Sequence, residues 1–148
     1  MISLTLTLHV LATVIWVGGM FFAHMALRPV AHTLLAPPQR LPLLAAVLGR
    51  FFVWVWVAVL ALLGSGGYMI HLLGGAAIYV HVMTALGAVM MTLFAFLFFV
   101  PYRALREALG RDDFKEAGRR MALIRAVVAV NLVLGLCTTV VAVAGKYL

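Results

Sequence analysis

The chain has 148 residues, 66% of them hydrophobic and 10% charged, with a net charge of +7 and a mean hydropathy of +1.18. A soluble domain of this size has no way to hide so much apolar surface, so the composition excludes a globular enzyme in water and requires lipid. Ten of the eleven Lys and Arg residues fall between Arg28 and Arg50 or between Arg103 and Arg125, which is the asymmetry of cytoplasmic loops and not of a nucleic-acid surface.

Four apolar runs are long enough to cross a bilayer, which takes roughly 20 helical residues. The first covers about residues 2–27 and is expected to stop at Arg28-Pro29, a charge followed by a helix breaker. It has no positive leading segment and outlasts the apolar core of a signal peptide, so it reads as a retained span. Residues up to Pro42, with Pro37-Pro38-Gln39-Arg40, read as a loop. The second span covers about 44–73, with Trp54 and Trp56 on different faces and Gly64-Ser65-Gly66-Gly67 permitting a bend or a close approach.

A short connection through Gly74-Gly75 leads to the third span, about 77–100, which ends at Pro101-Tyr102-Arg103. The next segment, Arg103 to Arg120, holds all four acids and reads as a solvated helical hairpin tip, not a carboxylate site. The fourth span covers about 121–145, with Asn131 buried in it. Placing both basic segments in the cytoplasm puts the two termini on the periplasmic side. The expected architecture is one all-α domain over 1–148, a four-helix antiparallel transmembrane bundle in the inner membrane.

Ionisable groups at membrane depth mark function by default. His9 lies in the first span without an acid or lysine nearby, and His81 lies near the start of the third. At about 1.5 Å per residue both fall in the outer half of the bilayer. Small residues line the faces that carry them: Thr5, Ala12 and Thr13 beside His9, and Ala77, Thr84, Ala85 and Ala88 beside His81. Such faces suit close helix packing or the shallow walls of a flat macrocycle.

Paired imidazoles on facing helices suit haem iron. The first expectation is therefore a b-type haem protein transferring electrons between a quinone and a periplasmic partner. His9 and His81 are its axial ligands, Trp16 and Tyr68 its pocket walls and Asn131 a hydrogen-bond donor. Propionates then have few partners at that end, Lys146, His71, Tyr79 and Tyr147 among them. The alternative is copper, held by His9, His81 and His71 with the thioethers of Met69 and Met83. A third reading is a structural subunit whose histidines hydrogen-bond across helices. His24 and His32 read as interfacial, and the lone Cys137 as small-residue packing. No nucleophile–base–acid set, phosphate loop or embedded carboxylate is present. A homo-oligomer is compatible with all three readings.

Leu8-His9-Val10 followed by Trp16-Val17-Gly18-Gly19, then Arg50-Phe51-Phe52, Gly66-Gly67-Tyr68 and the closing stretch from Asn131 to Gly145, resemble the copper-resistance D (CopD) family of bacterial inner-membrane proteins. The resemblance implies a role in copper uptake or homeostasis. The same plan is similar to HemJ-type protoporphyrinogen oxidases, four-span proteins associated with b-type haem. Their first-span histidine matches His9, and their His-x-Lys element matches His81-Val82-Met83 with methionine in place of lysine. Tyr102-Arg103-Ala104-Leu105-Arg106-Glu107 resembles their basic continuation. Without that lysine, the likeness implies scaffold and cofactor but not oxidation of protoporphyrinogen.

Overall fold

A computed structural model describes residues 1–73, 77–145 and 147. It contains six α-helices: α1 (Ile2–Phe22), α2 (Arg28–Leu34), α3 (Pro37–Leu73), α4 (Ile78–Leu97), α5 (Arg103–Gly110) and α6 (Phe114–Ala144). Single π-turns join α1 to α2 (Ala23–Leu27) and α4 to α5 (Phe98–Tyr102). Four continuous helices result, each long and apolar enough to cross a membrane: Ile2–Leu34, Pro37–Leu72, Ile78–Gly110 and Phe114–Ala144. The expected connection at Gly74-Gly75 and the cation Lys146 lie outside the described residues.

The prolines end fewer helices than expected, for a common reason. Arg28-Pro29 does not stop the first helix, because the π-turn before it absorbs the missing N–H: the amide of Arg28 reaches back to Ala23 O. Pro101 lies inside the second π-turn, through which the helix likewise continues. Pro37 and Pro38 lie in the first turn of α3, where amide hydrogens have no intrahelical partner. The expected loop is thereby reduced to residues 35 and 36, with Leu35 extended at φ −123° and ψ 135°.

At the basic end, α5 and α6 form the hairpin expected from the mixed charges. Asp112 takes the turn's left-handed position at φ 54°, which an aspartate tolerates better than most residues. Asp113 then caps α6 by accepting from the Glu116 amide at 3.0 Å. Ion pairs Arg120–Glu116 at 2.7 Å and Arg103–Glu107 at 3.4 Å lie on its surface. The hairpin is not only a solvated tip, since Leu105, Ala108 and Ala117 are wholly buried against the bundle.

The α1 helix lies along α3, and α4 lies along α6, which also touches α1 and α3. Aromatic rings fill the middle. Phe52 sits edge-on to Tyr102 and Phe94, with centroids at 4.9 and 5.6 Å. Trp56 and Trp16 meet Phe94 at 5.0 and 6.0 Å. Trp54 faces outward, as its two-residue offset from Trp56 requires. Lipid is as apolar as leucine, so close contact and hydrogen bonding hold these helices together, not burial as such.

Gly135 illustrates that closeness: a Cβ there would lie 2.8 Å from Val17 Cγ2 and 3.1 Å from Met90 Cε. The polar exceptions are few. The Asn131 amide donates to Met90 O at 3.3 Å, and its own Oδ1 is buried without a partner among the described residues. Large apolar side chains such as Leu60, Val140 and Phe99 remain exposed around the bundle, an arrangement that lipid accommodates and water does not.

Candidate functional site

His9 is half-buried between α1 and α3. Its Nδ1 lies 2.8 Å from the hydroxyl oxygen of Ser65. That hydroxyl has one proton, which goes to the carbonyl of Ala61 one turn back in α3. With its proton so placed, the Ser65 oxygen is an acceptor for the ring, the arrangement that goes with the His9 tautomer protonated at Nδ1. In that tautomer Nε2 keeps its unshared electron pair, and it has no hydrogen-bond partner among the described residues. This is the tautomer of a metal-ligating histidine whose other nitrogen is fixed by a neighbour.

The local sequence explains the fit. Ser65 stands on the face of α3 turned toward α1 and is only 4% exposed. Gly66 beside it has no side chain, and a Cβ there would meet His9 Cε1 at 3.4 Å. Gly66 thus serves as the wall on which the imidazole lies, and the glycine run makes no break: α3 continues through it as helix. On the α1 side, Thr13 ties its hydroxyl back to His9 O at 3.0 Å. Met69, one turn beyond Ser65, shares its face and is half-buried.

The remaining expected ligands do not join His9. His81 is exposed on α4. The buried face of that helix is set by Met90, Phe94 and Leu97, with Met83 and Leu86 half-buried along it. Met83 lies two residues from His81 and so nearly opposite on the helix. The small-residue stripe of Ala77, Thr84, Ala85 and Ala88 is exposed with His81. Small residues permit close packing but do not direct it, and bulky neighbours claimed the interface. His71 is exposed on another face of α3 from Met69, and Tyr68 is 37% exposed.

Trp16 and Asn131 do meet, but deep in the aromatic core and two turns below His9. They border a void of about 10 Å³, room for roughly one water and not for a macrocycle. The facing-imidazole haem site is thus not formed: His81 and Tyr68 are turned out, while Trp16 and Asn131 are packed into the core. The residues present do not fit haem b. Among the described residues no three His, Cys, Asp or Glu side chains come together as a ligand set.

Sequence reading missed two features. Ser65 as the partner of His9 was hidden within a glycine run, although a hydroxyl and an imidazole at matching depth were the available signal. The second feature is a cleft of about 290 Å³ at the opposite, basic end, where His24, Arg28, His32, Arg40 and Arg125 converge. Read singly, each was an interfacial charge.

Taken together, these features define a four-span membrane bundle with one imidazole fixed at the interface of its first two spans. The family model described as copper resistance protein D, CopD, matches residues 45–145. The chain belongs to this family and is a copper-resistance-related membrane protein. The matched segment holds Ser65, Met69, His71, His81 and Met83, while His9 precedes it. No curated protein and no solved structure matches the chain.

Proposed function

We propose that the protein binds copper as cargo in the bacterial inner membrane, with Nε2 of His9 as the nitrogen donor and the thioether of Met69 as its neighbour. The observation that carries this reading is the 2.8 Å contact between His9 Nδ1 and a Ser65 hydroxyl that is itself bonded to Ala61 O, which supports the tautomer with Nε2 unprotonated. Membership of the copper-resistance family supplies the metal. Imidazole with thioether favours Cu(I), and no carboxylate occurs in residues 2–73, the segment that carries His9 and Met69, to favour a harder ion.

The positive-inside rule puts the basic hairpin in the cytoplasm and His9 toward the periplasm. Below His9 the path is filled by Trp16, Phe52 and Phe94. That packing supports a receiving site at the outer end over an open channel. His81, His71 and Met83 stand at the same end of the bundle, and a role for them is as further donors on the way to His9.

The test is copper content and copper tolerance of cells expressing the protein or its His9→Ala variant at equal membrane abundance. The variant is expected to abolish the change in cell copper that the parent protein produces. An identical copper content for the two would refute the assignment of His9.

A further inference from the structure

The cleft at the basic end has a composition that the copper reading does not use. Five cationic or imidazole side chains line it, namely His24, Arg28, His32, Arg40 and Arg125, and no acid does. The acids of the chain are all in or next to the α5–α6 hairpin, where Glu107 and Glu116 pair with Arg103, Arg119 and Arg120. Among the described residues Arg28, Arg40 and Arg125 have no carboxylate partner. Three uncompensated guanidinium groups repel a metal cation, so the nearby imidazoles are poor candidates for a second copper site. Arginine forks instead suit phosphate oxygens.

Between these cations the lining is apolar, with Leu41, Leu44 and Leu48 on α3 and Met121 and Val128 beside Arg125 on α6. A cavity that sets cations among apolar side chains suits an amphiphile better than a freely soluble anion. Its volume of about 290 Å³ is at the small end of ligand sites, which begin at roughly 300 Å³. That is room for a headgroup, with acyl chains continuing along the outside of the bundle. Depth agrees. Arg28 lies 19 residues beyond His9, or roughly 28 Å along the helix. The hydrocarbon layer is about 30 Å thick, so the cleft and His9 belong to opposite membrane faces.

We propose that this cleft binds the phosphate-bearing headgroup of an anionic membrane phospholipid, held by Arg28, Arg40 and Arg125. Basic pockets between membrane helices on the cytoplasmic side recognise such headgroups through the same chemistry. The site stands apart from His9, and its occupancy does not depend on copper.

The experiment is native mass spectrometry of the full-length protein in detergent, titrated with phosphatidylglycerol, phosphatidylcholine or inorganic phosphate. The triple variant Arg28→Gln, Arg40→Gln, Arg125→Gln is compared with Arg106→Gln, Arg111→Gln, Lys115→Gln, which removes the same charge outside the cleft. One retained phosphatidylglycerol is expected, weakened roughly 100-fold in the cleft variant and little changed in the control variant. Equal weakening in both variants, or equal retention of phosphatidylcholine, would overturn the proposal. In the unaltered protein phosphatidylglycerol is expected to raise the unfolding temperature and inorganic phosphate is not. A free phosphate that stabilises as well as the lipid, or displaces it, would contradict a lipid site.

Discussion

Replacing Ser65 by alanine separates a metal-orienting hydrogen bond from a merely structural one. The hydroxyl lies 2.8 Å from His9 Nδ1, and Ser65 is 4% exposed, so water is poorly placed to take over. Hydrogen bonds between membrane helices average about 0.6 kcal/mol and reach roughly 1.7 kcal/mol. Against a typical total of about 5–15 kcal/mol the fold should survive. The effect on copper should be larger. Losing the partner that orients a ligating imidazole costs roughly 10–100-fold in metal affinity, equivalent to about 1.4–2.8 kcal/mol. The assay is competition for Cu(I) against a chromophoric chelator, with purified protein in detergent. Ser65→Ala should weaken binding within that range, while Ser65→Thr, which keeps the hydroxyl, should retain most of it. Unchanged Cu(I) affinity in Ser65→Ala, alongside a measurable loss of stability, would refute the reasoning and reduce the pair to a helix–helix contact.

Other outcomes follow from the packing. Gly135→Ala places a methyl 2.8 Å from Val17 Cγ2 and should cost about 1–3 kcal/mol; unfolding in a detergent titration measures it, and adding Val17→Ala should restore part of the loss. Asn131→Leu removes one long interhelical bond at 3.3 Å together with a buried carbonyl that has no partner among the described residues, so any loss of stability should stay below about 1.7 kcal/mol. A larger loss in the same titration would mean that Asn131 makes further bonds. Asp113→Ala removes the cap on the Glu116 amide and should cost about 1 kcal/mol, seen as faster hydrogen exchange confined to the first turn of α6.

The four spans were legible in the sequence because apolar length and the two basic segments are direct physical requirements of a bilayer. Helix ends were less so. Pro29 and Pro101 looked like stops, yet a π-turn at each lets the helix run on. Depth along a span could also be counted from sequence, which placed His9 and His81 at one end. Facing could not. Both carry small-residue stripes, but Met90, Phe94 and Leu97 turn α4 the other way and leave His81 outside. Ser65 was readable only as part of a glycine run, because its pairing with His9 depends on the register of α1 against α3. The convergence of Arg28, Arg40 and Arg125 likewise requires three helices to be placed before it exists.

The central claim is that Nε2 of His9, made available by the bond to Ser65, is a copper donor. X-ray absorption at the copper edge of the Cu(I)-loaded protein addresses it directly. One copper per chain is expected, with imidazole nitrogen and thioether sulfur in its coordination shell, and the imidazole signal should vanish in His9→Ala. A protein that takes up no Cu(I), or a spectrum identical in that variant, would contradict the account.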